Sequence, residues 1–161
     1  YTVFAREGDM VPLTLSKRDA PASEATPVFS SKTIHEVRAM LELAVQVGGT
    51  APKAQVAGYR VAGKTGTAYK IEGGQYVRKY IASFVGFAPA SDPRLIVAVM
   101  IDEPTSRAHF GGDVAGPVFS AVMGGSLRTL GILPDAPLPA AATLQTAQVS
   151  RDKPDAGKKK L

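Results

Sequence analysis

Val61-Ala62-Gly63-Lys64-Thr65-Gly66-Thr67-Ala68 places a cation, two hydroxyls and two glycines within five residues, between small and apolar neighbours that suit a strand. Lys64 offers a charge, Thr65 and Thr67 offer hydroxyls, and Gly66 has no side chain to block close approach. Alternate residues of a strand share a face, so Thr65 and Thr67 are expected to point together and Lys64 to the other side. A polar strand edge of this kind suits an anionic ligand.

Two motif patterns fit the stretch. Lys64-Thr65-Gly66 matches the K-T-G element of the penicillin-recognising serine enzymes. Gly58-Tyr59-Arg60-Val61-Ala62-Gly63-Lys64-Thr65 matches the Walker A pattern of P-loop nucleotide-binding proteins, and Leu95 to Ile101 running into Asp102-Glu103 imitates a Walker B strand. A phosphate loop needs a helix opening at its lysine, so that backbone N–H groups converge on phosphate. Here a glycine and two β-branched residues stand where the first helical turn would be, and Tyr59-Arg60-Val61-Ala62 reads as a strand beginning. The context therefore favours K-T-G. The nucleotide-binding reading and a non-catalytic interaction module, in which the K-T-G strand is vestigial, are the alternatives.

The 161 residues suffice for one domain with a real core, and 45% hydrophobic and 20% charged residues are ordinary for a globular chain. The net charge of +5 is modest, and Lys158, Lys159 and Lys160 crowd the C-terminus. No basic stripe interleaved with aromatics appears, so nucleic acid is not an expected partner. With no cysteine and only two histidines, His35 and His109, far apart, neither disulfides nor a metal site are expected, and no cofactor is implied. The longest apolar run is the seven residues Leu95 to Ile101, short of the ~20 that a membrane helix needs.

In chain order, Tyr1 to Arg6 reads as the last turns of a helix closed by Gly8, which suggests that an upstream part is missing. Met10 to Phe29, broken by Pro12, Pro21 and Pro27, reads as extended. Ser30 to Val47 predicts a helix, capped by Ser30, Ser31 or Thr33, with Thr33 and Glu36 as a capping box and Ile34, Val37, Leu41 and Ala44 as its apolar face. Gly48-Gly49 is expected to end it, and His35 is expected at its surface. Ile71 to Tyr80 reads as a polar loop around Gly73-Gly74. Ile81 to Ala88 and Leu95 to Asp102 read as an antiparallel pair, because their short connection cannot make a parallel crossover. The second strand, apolar on both faces, is expected to be central and covered on both sides. Asp113 to Leu130 predicts the last helix, packed on one face of the sheet. The fold class expected is α+β (three-layer α/β type): an antiparallel sheet flanked by helices over 1–133, followed by a disordered tail over 134–161.

The matches go beyond layout. Gly58 to Ala68, Tyr80 to Pro89, Asp102-Glu103-Pro104, Phe110-Gly111-Gly112 and Ala115-Gly116-Pro117-Val118-Phe119 together closely resemble the C-terminal part of the class B penicillin-binding protein transpeptidase domain. The likeness is greatest to the septal, division-specific peptidoglycan D,D-transpeptidases of Gram-negative bacteria. It implies serine acyl transfer on D-Ala-D-Ala stem peptides, inhibition by β-lactams, a place at the periplasmic face of the inner membrane and divisome membrane proteins as partners.

Carried over by position, the resemblance implies catalytic roles for Lys64 and Thr67. Substrate binding falls to Thr65, Gly66, Thr67, His109 and Phe110. The Thr65 and Thr67 hydroxyls would bind the substrate or β-lactam carboxylate, and the Thr67 N–H would be one oxyanion donor. His109 and Phe110 would wall the pocket, with histidine in place of the usual aromatic; Tyr69 stands where a basic residue is common. The chain has no asparagine, so no S-x-N motif, and its one S-x-x-K match, Ser150 to Lys153, follows K-T-G instead of preceding it. The resemblance thus implies a nucleophilic serine upstream of Tyr1 and activity only together with that upstream half.

Overall fold

The computed structural model describes residues 1–16, 24–105 and 108–137. A short helix α1 (Thr2–Ala5) leads to a two-strand ribbon, β1 (Asp9–Met10) with β2 (Thr26–Pro27), and then to helix α2 (Ser31–Leu43). A 3-10 turn (Pro52–Ala54) precedes three strands, β3 (Ala62–Glu72), β4 (Gln75–Ala88) and β5 (Leu95–Asp102), and helix α3 (Gly111–Thr129) follows. The three strands form one antiparallel sheet in the order β3-β4-β5. No helix among the described residues is long and apolar enough to cross a membrane.

Alternation along β4 decides the layers. Phe84 and Ala88 pack on one side with Phe119, Met123 and Leu127 of α3. Phe87 faces the other way and joins Ala62, Ala90, Phe4 and Leu41, the last from α2. The result is helix, sheet, helix, as the α+β expectation held. The core therefore sits between α3 and the sheet, with a smaller apolar layer between the sheet and α2.

The N-terminal helix end is as read from the sequence. Gly8 has φ +105 and its N–H donates to Val3 O at 3.1 Å, closing α1. α2 starts one residue later and ends earlier than its periodicity suggests. Ser30 is the cap, accepting from the Thr33 N–H at 3.2 Å. Glu36 makes no capping box and lies 4.0 Å from Lys32. The chain leaves the helix after Leu43, five residues before Gly48, and turns through residues 44–49. Arg38 is buried beside Ile34 because its guanidinium reaches Phe4 O and Glu7 Oε1, each at 2.8 Å. His35 is exposed, as expected, with Nε2 3.3 Å from Glu7 Oε2.

Two further expectations fail. Ile71 to Tyr80 is not a polar loop: β3 and β4 continue through it as a hairpin arm, with Ile71 opposite Tyr76 and Glu72 opposite Gln75. Gly73 (φ +57) and Gly74 (φ +79) form the two-residue turn, a conformation that glycine adopts without strain. The register shifts between Tyr69 and Lys70, and Tyr69 lies 4.9 Å from Tyr80, ring to ring. Nor is β5 central. It is an edge strand of the described sheet, with Leu95, Val97, Val99 and Ile101 packed against the core while Ile96 and Met100 are exposed. An all-apolar strand shows that both faces favour burial, but the described residues cover one.

The end of β5 is tied to the arm. Lys70 Nζ lies 3.0 Å from Asp102 and 2.7 Å from Glu103, and these hydrogen bonds, Glu103 first, hold its ammonium above the ordinary lysine range. Asp102 is thus a partner of Lys70 at the sheet's edge. Residues 134–137, where the tail was expected to begin, are held in place: Asp135 accepts from the Arg60 N–H at 2.7 Å, and Ala136 N donates to Gly58 O at 3.1 Å. The rest of the segment read as a disordered tail lies outside the described residues.

Replacing Gly74 by valine forces a β-branched residue to positive φ, at about 1–2 kcal/mol. Amide protection at Tyr76 and Val77 is expected to drop about fivefold or more while that at Val97 stays the same.

Candidate active site

β3 carries the polar row to the edge of the sheet, next to the start of α3. Thr65 and Thr67 do point together, into a cleft of about 280 Å³ lined also by Thr50, Phe110, Gly111, Gly112 and Asp113. The Lys64 ammonium does not stay on the opposite side. It bends round to donate to Thr65 Oγ1 at 3.1 Å and to Thr65 O at 3.3 Å. Strand alternation governs Cβ, and the flexible lysine stem carries its charge well beyond it. After Lys64 the chain stays extended to Glu72 and no helix opens there, so the Walker A match is not a phosphate loop.

Close backbone approach builds the wall opposite the threonines. A Cβ on Gly111 would run into Ser83 O and come within 2.7 Å of Gly66 O, and one on Gly112 would run into Thr50 O. Only glycine pairs let α3 begin directly against β3, β4 and the loop at Thr50. Gly66 leaves room for a neighbour within the sheet, since a Cβ there would lie 2.5 Å from the Ser83 Oγ of β4.

Phe110, the N-cap of α3, has no side-chain cap. Thr67 supplies one from another element: its Oγ1 accepts the Gly111 N–H at 3.2 Å. With that lone pair engaged by a donor, the Thr67 hydroxyl proton is free to point into the cleft. Thr65 also accepts, from Lys64, and its own hydroxyl donates to Thr50 Oγ1 at 3.4 Å, a long bond that an anion in the cleft would displace. Two hydroxyls, with the Lys64 ammonium behind that of Thr65, and the positive end of a 19-residue helix therefore face one cleft, an arrangement that favours an anion.

His109 does not line the cleft. It stacks on Tyr80 at 4.1 Å and contacts Phe110 at 4.4 Å, so it backs the exposed Phe110 ring that does. The row continues through Tyr80 to Tyr69, and a hydrogen bond with Tyr69, then burial, push the Tyr80 phenol up from its ordinary value. A larger cleft of about 490 Å³ lies just before the start of β3, beside Tyr59 and Arg60, but Arg60 is already engaged by Glu42 at 2.8 Å. No group of three or more potential metal ligands occurs among the described residues.

Sequence reasoning missed Thr50 and Asp113 as cleft residues. Thr50 follows Gly48-Gly49 in a loop, with no local pattern to single it out, and Asp113 reads simply as a favourable acid in a first helical turn. The Gly111-Gly112 pair was visible, although its packing role was not.

Comparison with known proteins agrees with this geometry. The profile of the penicillin binding protein transpeptidase domain matches residues 1–124. The transpeptidase domain of Burkholderia pseudomallei penicillin-binding protein 3 superposes with a TM-score of 0.76 at 52% identity, covering 85% of this chain and 42% of that one. Neisseria gonorrhoeae "Probable peptidoglycan D,D-transpeptidase PenA" is 47% identical over 143 residues, 88% of this chain and 24% of that protein. Escherichia coli (strain K12) peptidoglycan D,D-transpeptidase FtsI is 43% identical over 137 residues, 84% of this chain and 23% of that protein. The chain thus spans about a quarter of the length of the curated relatives it matches. On its strand-edge threonines, its glycine-seated helix and these likenesses, the chain belongs to the penicillin-binding protein transpeptidase domain family.

Proposed function

We propose that this chain supplies the C-terminal wall of the active site of a serine D,D-transpeptidase that cross-links peptidoglycan stem peptides during septum formation. The observation that carries the reading is the convergence of Thr65, Thr67 and the start of α3 on one cleft, with the Lys64 ammonium donating to Thr65 behind it. A stem peptide ending in D-Ala-D-Ala presents a terminal carboxylate, and the Thr65 and Thr67 hydroxyls donate to it. Phe110, backed by His109, walls the apolar side. Gly66 keeps the strand flat for a ligand lying along it.

The reaction follows from that placement. A serine Oγ from the upstream half attacks the penultimate carbonyl and loses its proton to a neighbouring base. The oxyanion is held by the Thr67 N–H and a second backbone donor. The C–N bond breaks, terminal D-Ala leaves as the amine with a proton, and an acyl ester remains. The amine of a second stem peptide attacks that ester and releases the serine. β-Lactams enter by the same carboxylate contacts and stop at the ester. Lys64 shapes the field at the serine without needing a cofactor or metal.

The upstream half is the first partner. The exposed outer face of β5, with Ile96 and Met100, offers it an apolar surface. Divisome membrane proteins as further partners and a place at the periplasmic face of the inner membrane rest on the resemblance to the septal transpeptidases alone.

The test is Thr67→Val in the full-length protein. Valine keeps the shape but loses a hydrogen bond to a charged group, worth about 1.5–3 kcal/mol. Acylation by penicillin is expected to slow about tenfold to a hundredfold, while loss of the cap on the Gly111 N–H lowers Tm by only a few degrees. Unchanged acylation would mean that the carboxylate is anchored elsewhere.

A further inference from the structure

We infer that the ion pair between Lys53 and Asp113 sets the charge preference of the cleft; this rests on the anion-site reading just proposed. Asp113 lines the cleft together with Thr65 and Thr67, and Lys53 Nζ lies 2.7 Å from its Oδ1. As the third residue of α3, Asp113 is locally favourable to the helix. For the cleft it is a contradiction: a carboxylate stands on the wall of a site whose other groups hold a carboxylate. Lys53 resolves it by cancelling the charge at that wall.

The pair is seated by backbone packing. Lys53 belongs to the 3-10 turn, whose Ala54 N is so near α3 that a Cβ on Gly116 would lie 3.4 Å from it. Ser120 Oγ of α3 also donates to Gln55 O at 2.5 Å. The turn and the helix are thus held together independently of the ion pair, so the pair is free to act on the cleft without being needed to assemble it. Its side chains are 56% and 41% exposed, which keeps the effect moderate and sensitive to salt.

The experiment uses the full-length protein and two probes, a penicillin with its free carboxylate and the methyl ester of the same penicillin. Acylation rates are measured at low and high salt for wild type, Lys53→Gln, Asp113→Asn and the double variant. Lys53→Gln is expected to lower the acid-to-ester rate ratio about threefold at low salt, and less at high salt. Asp113→Asn is expected to raise the ratio, and the double variant to return it to near the wild-type value. A fall in both rates by the same factor, insensitive to salt and tracking a lower Tm, would show a purely structural pair and overturn the inference. So would a ratio that neither single variant moves in a wild-type protein that acylates normally. A full-length wild type that acylates with neither probe removes the site reading itself, and the inference with it.

Discussion

A fluorescent penicillin is expected to leave the 161-residue chain unlabelled and to label the full-length protein covalently. Acylation needs a nucleophile next to a base, held over the donors that receive the oxyanion. The side-chain hydroxyls lining the cleft are those of Thr50, Thr65 and Thr67. Thr65 accepts from the Lys64 ammonium and donates only to the Thr50 hydroxyl, and Thr67 accepts from a backbone amide, so neither oxygen has a basic group to take its proton. The single S-x-x-K sequence, Ser150 to Lys153, lies outside the described residues and after K-T-G. What the chain alone can offer a penicillin is a few water-exposed hydrogen bonds of about 0.5–1.5 kcal/mol each, which amounts to millimolar affinity or weaker. On the function proposed above, the same contacts in the full-length protein would orient a carbonyl over a serine, and orientation is converted into rate. The assay is denaturing electrophoresis with fluorescence detection, followed by mapping of the modified residue. A covalent adduct on the short chain, at Ser150 or at Thr65, would overturn the assignment of the nucleophile to the upstream half.

Phe119→Ala is expected to be the most damaging single change to the fold. Phe119 is fully buried and meets Phe84 edge to face, with ring centroids 4.7 Å apart at 69°. Its ring tip also fills the space over Gly86, where a Cβ would lie 3.0 Å from it. Truncation removes this aromatic contact between α3 and the sheet and leaves a cavity that Gly86 cannot fill, at about 3–5 kcal/mol. Against a total stability of about 5–15 kcal/mol, that takes much of the margin. The functional consequence runs through α3, because the same helix brings Gly111, Gly112 and Asp113 to the cleft at its other end. Urea denaturation of the full-length protein should show a large fall in midpoint, and Phe119→Leu, which refills part of the volume, should recover a good share of it. A midpoint shift no larger than that of an exposed control such as Val122→Ala would show that α3 is held chiefly by something else.

Much of the architecture was legible because it is written in neighbouring residues. Ile81 to Ala88 and Leu95 to Asp102 pair as read, since a six-residue connection permits only an antiparallel return. Helices α2 and α3 show their periodicity, and Gly8 shows its cap. The hairpin arm was written just as locally, in two adjacent glycines between strand-like runs. Reading Ile71 to Tyr80 as a loop gave weight to its polarity and missed that a solvent-facing ribbon needs no apolar face when its rungs are Tyr69–Tyr80 and Glu72–Lys79 contacts.

From sequence alone came the order of elements, the antiparallel sheet and the row of Lys64, Thr65 and Thr67, all set by periods of two or 3.6 residues and by turn chemistry within a few positions. Only the tertiary structure decided what stands opposite that row. Thr67 caps a helix that begins 44 residues later, and Lys53 neutralises Asp113 across 60 residues. It also decided that Lys64 turns back toward Thr65, and that β5 lies at an edge with one face open. Backbone periodicity fixes which side of an element a residue occupies. Which distant side chain meets it there depends on how closely two backbones can approach, and at Gly111 and Gly112 that distance is set by the absence of a Cβ.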